Sequence, residues 1–133
     1  MSFSRYMDWF KEAEDDLEVA QELSRLGRWS KVCFFSHQAC EKALKALIMK
    51  KFGFYIRTHS VSELLIEVGK RMNISQELIE KCSKLDRYYV PTRYPNAWPA
   101  LAPHEHYDKK EAEEALRVAE ELMNFVKREI ESS

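Results

Sequence analysis

The sequence predicts an all-α protein, an up-and-down bundle of about five helices with one long proline-rich loop between the fourth and fifth. Its three glycines lie far apart, at Gly27, Gly53 and Gly69, and its four prolines all fall within residues 91–103. A chain with so few glycines, and with its prolines in one segment, lacks the turn residues that the many tight hairpins of a β-sandwich or β-barrel require. An all-β fold is therefore excluded. A length of 133 residues fits one domain, so we expect residues 1–133 to form a single helical domain.

The first predicted helix begins near Phe3 and ends before Gly27, a residue that commonly terminates helices. Its apolar residues recur every three or four positions, as on one face of an α-helix, and acidic residues occupy the other side. That apolar face contains Tyr6, Phe10, Ala13, Leu17, Ala20 and Leu23.

The second predicted helix runs from Trp29 or Ser30 to Phe52 and is apolar around most of its circumference in its first half. Such a helix belongs at the centre of a bundle. Its polar residues His37, Glu41 and Lys45 follow one another at intervals of four and share a face. They therefore lie on a solvated face, or they meet a groove, a partner interface or a buried network.

Three further helices are predicted from their N-terminal capping residues. Ser60 with Glu63 forms a capping box that opens the third helix, and Gly69 closes it. Ser75 is the expected N-cap of the fourth helix, and Asp108, with a carboxylate three positions later, is that of the fifth.

The segment from Tyr88 to Tyr107 connects the fourth and fifth helices and contains all four prolines. Proline at every fourth position excludes a regular helix. The segment also contains four of the six tyrosines, Trp98 and two histidines, whereas flexible linkers are poor in aromatic residues. We expect it to be ordered, extended and packed against the bundle by its aromatic rings.

The charge is unevenly distributed although the net charge is only −1. Residues 28–71 contain nine basic and three acidic side chains. A basic segment is the minimum requirement for binding phosphate groups. The candidate phosphate ligands within it are Lys42, Lys45, Arg57 and His59.

The strongest single candidate site is Thr92–Pro95 in the proline-rich loop. The guanidinium of Arg93 suits a phosphate or a carboxylate, the ring of Tyr94 can stack on a base, and Pro95 limits backbone movement. The alternative is that Arg93 forms a structural ion pair, with Asp86 or Glu41, or caps the end of a helix. The residues alone leave both interpretations open.

A second candidate is His104–Glu105–His106. Two histidines and a carboxylate can hold zinc or supply acid and base groups, but a metal site needs further ligands. We therefore favour solvent-facing histidines and predict neither a metal nor a cofactor.

The three cysteines, Cys33, Cys40 and Cys82, form no C-x-x-C pair and are interpreted as buried free thiols. No apolar run approaches the ~20 residues of a membrane-spanning helix, and the first ten residues do not form a secretory signal. These features predict a cytoplasmic protein that does not enter a membrane.

Four segments, taken in order, resemble the HEPN domain (higher eukaryotes and prokaryotes nucleotide-binding). They are FSHQACEKALKAL at residues 35–47, THSV at 58–61, Leu85-Asp86 and TRYP at 92–95. The resemblance implies an all-α bundle that forms a homodimer and binds nucleotide or RNA. It also implies, as in many prokaryotic members, a small nucleotidyltransferase as protein partner.

Many HEPN proteins are metal-independent endoribonucleases whose motif is an Arg followed, after four to six residues, by a His. Here ten residues separate Arg93 from His104 and twelve separate it from His106. We therefore expect a nucleotide- or RNA-binding module that is the non-catalytic dimeric partner of a nucleotidyltransferase. Two alternatives stay open: a toxin-like endoribonuclease using Arg93 with His104 or His106, and a purely structural dimerisation domain.

Overall fold

The computed structural model of the chain describes residues 5–132, and within them it contains five α-helices and no strand. The all-α prediction is confirmed; Phe3, where the first helix was expected to begin, lies outside the described residues. The helices are Tyr6–Arg25 (α1), Trp29–Phe52 (α2), Val61–Gly69 (α3), Gln76–Ser83 (α4) and Lys109–Glu131 (α5).

Helix α2 is the centre of the bundle, as its apolar circumference predicts. It packs most extensively against α1 and α5 and also contacts α3. Fifteen of its 24 residues are buried, so neighbouring helices of the same chain cover most of its surface. The core is one contiguous cluster to which all five helices contribute.

The predicted N-caps are confirmed. The side-chain oxygens of Ser60, Ser75 and Asp108 accept hydrogen bonds from backbone amides three positions later, at 3.1, 3.1 and 2.9 Å. The reciprocal half of the capping box predicted at Ser60 and Glu63 is replaced by a relay, because Thr58 Oγ1 accepts the hydrogen bond from the Ser60 amide and donates one to Glu63. These contacts satisfy amides that a helix start otherwise leaves without partners.

The glycines end helices in two different ways. Gly27 and Gly53 follow α1 and α2 with φ of 74° and 76°, a left-handed conformation that other residues rarely adopt. Gly69 is instead the last residue of α3, without a positive φ.

The proline-rich loop is more compact than the extended path expected for it. It contains short 3₁₀ turns at Pro95–Ala97 and Pro103–His106, and another turn, Lys84–Tyr88, directly continues α4. Proline is compatible with the first position of a helical turn because its φ is already helical and its missing N–H is not needed there. The prolines thus exclude a regular helix, as predicted, but start short turns.

The aromatic residues pack the loop against the bundle, as expected. Tyr88 and Tyr107 are buried in the core cluster, and their rings meet edge to face. The Trp98 indole donates a hydrogen bond to the Pro91 carbonyl at 2.7 Å. This ring also stacks on His106 with a centroid separation of 3.7 Å.

Cys33, Cys40 and Cys82 are buried and free, as predicted. None of the helices in residues 5–132 combines the length and apolar character that crossing a bilayer would require.

Candidate functional site

Asp86 joins α2, α3 and the turn that follows α4. Its carboxylate accepts hydrogen bonds from His37 Nε2 at 3.0 Å, from the Ser60 hydroxyl at 2.9 Å, and from the amides of Val61 and Ser62 at 2.7 and 3.0 Å. These amides belong to the first turn of α3, where a negative charge is favourable. Asp86 therefore holds the start of α3 and orients the buried His37 ring.

Two opposing effects act on the ionisation of Asp86. Burial disfavours the charged form, but the hydrogen bonds from His37, Ser62 and Val61 outweigh it and lower the pKa of Asp86 well below its usual value. The carboxylate is consequently charged in the folded protein at neutral pH.

The ring of Tyr89, just beyond this turn, is the centre of an aromatic cluster. The His59 ring stacks on it at 4.8 Å and 17°, the His37 ring lies at 5.3 Å, and the Phe34 ring at 6.4 Å. His59 is the exposed member of the cluster, with 63% of its side chain accessible.

Arg93 is anchored on the backbone of the same tyrosine. Its Nε and Nη2 atoms donate hydrogen bonds to the Tyr89 carbonyl oxygen at 2.9 and 2.7 Å. Its guanidinium lies 4.4 Å from the Phe34 ring, 4.8 Å from the Tyr89 ring and 5.0 Å from the Tyr94 ring. Arg93 thus caps the carbonyl at the end of the 3₁₀ turn Lys84–Tyr88, in agreement with the helix-capping role considered for it. The ion pair with Asp86 that was considered as an alternative is not formed, because the Asp86 carboxylate bonds His37.

Glu41 and Lys45 form a buried ion pair at 3.0 Å, so they belong to a buried network rather than a solvated face. The ammonium of Lys45 also lies over the rings of Trp9 and Tyr55, and only 3% of the residue is exposed. His59 Nδ1 approaches Glu41 at 3.3 Å from the exposed side. Lys45, a sequence-predicted phosphate ligand, is therefore enclosed and already neutralised.

Lys42, another predicted ligand, donates a hydrogen bond to Asp16 at 2.7 Å. Asp16 is buried in α1, and its burial raises the pKa of its carboxyl although the nearby Lys42 acts in the opposite direction. The sequence interpretation missed Asp16. The available signal was an acidic residue at helical spacing from Ala13 and Ala20, within the buried stripe.

The remaining candidates lie in different places. Arg57 is exposed, two residues before His59. His106, expected to face solvent, is instead partly buried: it stacks on Trp98 and its Nε2 lies 2.8 Å from the Ala100 carbonyl oxygen. His104 lines a cleft at the start of α2. The structure thus brings Arg93, Tyr94 and His59 together around Tyr89, while Lys42 and Lys45 are engaged in ion pairs.

The chain as a whole is similar to known proteins. A sequence model of the HEPN domain matches residues 6–129. The chain belongs to the HEPN family. Its resemblance to that family, first seen in four short segments, therefore extends over nearly the whole chain.

Several relatives of this HEPN protein are known. It is 34% identical over 128 residues to "Putative toxin MJ1304" of Methanocaldococcus jannaschii, covering 90% of this chain and 84% of that protein. Its structure is similar to a crystal structure from Thermus thermophilus, with a TM-score of 0.88 and 38% identity over 94% of this chain and 98% of the other.

Two further crystal structures share the fold and carry the HEPN name. An archaeal HEPN homologue gives a TM-score of 0.79 at 36% identity, over 95% of this chain and 98% of that one. A HEPN domain protein from Thermotoga maritima gives 0.72 at 31% identity, over 91% and 95% of the two chains.

Proposed function

We propose that this HEPN protein is a nucleotide- or RNA-binding module in which Arg93 binds a phosphate group. The observation that carries the proposal is the anchoring of the guanidinium. An arginine side chain has five N–H donors, and Arg93 uses two of them on the Tyr89 carbonyl, which leaves three. A fork fixed in this way loses little conformational freedom when it binds a phosphate.

The surroundings of Arg93 suit the rest of a nucleotide. Tyr94 is 52% exposed and lies beside the guanidinium, so its ring is available to stack on a base. The exposed His59 ring stacks on Tyr89, the ring that the Arg93 guanidinium also contacts. Arg57, two residues before His59 in the chain, adds a positive charge. Lys42 and Lys45 are left out of the proposed site because Asp16 and Glu41 already neutralise them.

The proposal is tested by measuring the affinity of the protein for a mononucleotide and for a short single-stranded RNA. Arg93→Ala is expected to weaken both at least tenfold, the effect of losing about 1.4 kcal/mol of binding free energy. Arg128→Ala is the matched control, because Arg128 is an exposed arginine near the end of α5. Equal affinity of the wild type and Arg93→Ala would favour a purely structural domain.

We further propose that the protein forms a homodimer and binds a small nucleotidyltransferase as its non-catalytic partner. Two exposed apolar side chains of the proline-rich loop, Val90 and Leu101, support a protein interface there. Purification of the protein together with a nucleotidyltransferase encoded beside it would test the partnership. A clean separation of the two proteins at micromolar concentration would contradict it.

The name of the Methanocaldococcus jannaschii relative favours a second candidate, a toxin-like endoribonuclease that pairs Arg93 with His104 or His106. Such an enzyme needs a His near the attacking hydroxyl and an Arg on the phosphate. The test is incubation of single-stranded RNA with wild type, His104→Ala and His106→Ala protein in EDTA. Cleavage that either substitution abolishes would support the enzyme, and intact RNA in every sample would exclude it.

A further inference from the structure

The start of α2 borders a cleft of about 350 Å³ with a basic lining. Arg28, Lys31 and His104 contribute side chains to it, and no acidic residue is among the lining residues. Within residues 5–132, neither Arg28 nor Lys31 takes part in an ion pair. Two unpaired positive charges around one concave surface favour an anionic ligand.

Backbone donors of α2 border the same cleft. Arg28 is the N-cap residue and its side chain forms no capping hydrogen bond, and the first turn of α2 contains no acidic residue. The amides of Lys31 and Val32 are occupied by the Arg28 carbonyl, so the donors left at this end of the helix are the amides of Trp29 and Ser30, two residues that line the cleft. A helix of 24 residues carries a partial positive charge at such an end.

The hydroxyl of Ser30 is an independent indication of a ligand. Ser30 is only 2% exposed, it lines the cleft, and its hydroxyl forms no hydrogen bond with any residue from 5 to 132. The Oγ atom of Ser30 is not fully withdrawn from solvent, in contrast to that of Ser36, so it opens on the cleft. A phosphate oxygen in the cleft would supply the missing acceptor.

The cleft is also next to the Arg93 site. Lys31 and Phe34 are three positions apart on α2 and belong to its partly exposed stripe, so they lie about one helical turn, roughly 5 Å, apart along the axis. The guanidinium of Arg93 lies on the Phe34 ring, at 4.4 Å. Two places suited to phosphate therefore follow one another along one face of α2, with an aromatic ring between them.

We infer that the α2 cleft binds a second phosphate of a single-stranded nucleic acid whose neighbouring phosphate is held by Arg93. The inference rests on the proposed function and narrows its ligand from any nucleotide to a strand, because a mononucleotide occupies only the Arg93 site. Positive side chains alternating with aromatic rings are the general pattern of single-strand binding surfaces.

The test measures the affinity of Lys31→Ala for an eight-nucleotide uridine RNA, for a thymidine DNA of equal length and for uridine monophosphate. Binding of one or both strands is expected to weaken about fivefold, and the salt slope of strand binding to decrease by about 0.7, as for one lost phosphate contact. Affinity for the mononucleotide is expected to stay within about twofold of wild type. Comparison of the RNA and DNA strands shows which backbone the surface accepts.

The matched control is Lys127→Ala. Lys127 is an exposed lysine on α5, two residues before Glu129. Glu129 pairs with Lys51, and Lys51 lies near the C-terminal end of α2, about 30 Å along the helix from Lys31. Lys127 is therefore far from the cleft. This substitution is expected to change none of the three affinities. Ser30→Ala adds a second readout: it should weaken strand binding without lowering the free energy of unfolding, since the hydroxyl it removes has no hydrogen bond.

The outcomes separate this inference from the function on which it rests. If Arg93→Ala weakens both kinds of ligand but Lys31→Ala leaves strand affinity unchanged, the cleft inference is overturned and the proposed function stands. A wild-type protein that binds neither strand nor mononucleotide overturns both. A change of oligomeric mass in Lys31→Ala, with strand affinity unchanged, would overturn the inference and assign the cleft to an interface between copies of the chain.

Discussion

The Nε2 atom of His37 lies 3.0 Å from Oδ1 of Asp86, a carboxylate 49 residues later in the chain. This contact connects the central helix α2 to the turn after α4, and the same carboxylate caps α3. One side chain thus fixes the relative positions of three elements that border the Tyr89 cluster.

Asp86→Asn is expected to lower the free energy of unfolding at pH 7 by about 3 kcal/mol, because an amide replaces a charged acceptor of four hydrogen bonds. Urea unfolding followed by circular dichroism measures the difference. Asp108→Asn is a useful comparison, since that exposed cap accepts one amide hydrogen bond and asparagine is an equally good N-cap residue. A loss at Asp86 no larger than at Asp108 would contradict the role assigned to it.

The contribution of Asp86 should also depend on pH. Because its pKa in the folded protein lies below that of the unfolded chain, the stabilisation is complete above about pH 4 and decreases as the pH falls further. The difference in unfolding free energy between wild type and Asp86→Asn is therefore expected to narrow between about pH 4 and pH 2. A difference that is constant over this range would show that the carboxylate is not held in its charged form.

Glu41→Gln is expected to lower the free energy of unfolding by about 3 to 5 kcal/mol, because it leaves the buried ammonium of Lys45 without its counter-charge. The double variant Glu41→Leu with Lys45→Met should recover most of that loss, since apolar residues of similar volume need no counter-charge. Urea unfolding of the wild type, the single variant and the double variant measures both effects. A double variant as unstable as the single one would contradict the assignment of the pair as a buried network.

The cysteine thiols are expected to react slowly in the folded protein. Burial raises the pKa of Cys33 to about 12, and the pKa of Cys40 is raised by burial and by the neighbouring Cys82. The thiolate is the reactive form, so alkylation at pH 8 should proceed only as fast as the protein opens. Mass spectrometry of samples treated with iodoacetamide, with and without urea, measures this. Rapid labelling of any of the three without urea would show that it is accessible.

Light scattering at micromolar concentration is expected to give about twice the 15.8 kDa mass of one chain. The apolar circumference of α2 is mostly covered within the chain, so the proposed interface uses the exposed loop side chains Val90 and Leu101. Leu101→Asp is therefore expected to shift the mass towards that of a monomer. A monomeric wild type would exclude the proposed interface.

The features predicted correctly from sequence are the ones that depend on neighbouring residues. The caps at Ser60, Ser75 and Asp108 are local, because each side chain bonds an amide three positions away. The end of α2 at Gly53 is local as well. The helical spacing of apolar residues also identified α2 as central, since its apolar residues extend around the helix.

The features that sequence reasoning missed depend on distant partners. The Asp16–Lys42 pair spans 26 positions, and nothing in either segment alone indicates the other. For Arg93 the sequence left open a phosphate, an acidic side chain or the end of a helix, and the structure shows which group it bonds, the backbone carbonyl of Tyr89. A carbonyl is present at every position, so no residue type in the sequence could point to that one. The compact path of the proline-rich loop was missed because its turns depend on packing around Trp98.

Phosphate binding by Arg93 is tested most directly by observing its guanidinium. In ¹H–¹⁵N spectra of the arginine side chains, the Arg93 signals can be assigned by their absence from Arg93→Lys. Titration with a short single-stranded RNA is expected to shift these signals saturably, with the same midpoint as the binding curve, while the Arg128 signals stay in place. Saturable RNA binding that leaves the Arg93 signals unmoved would contradict the claim that this anchored arginine binds the phosphate.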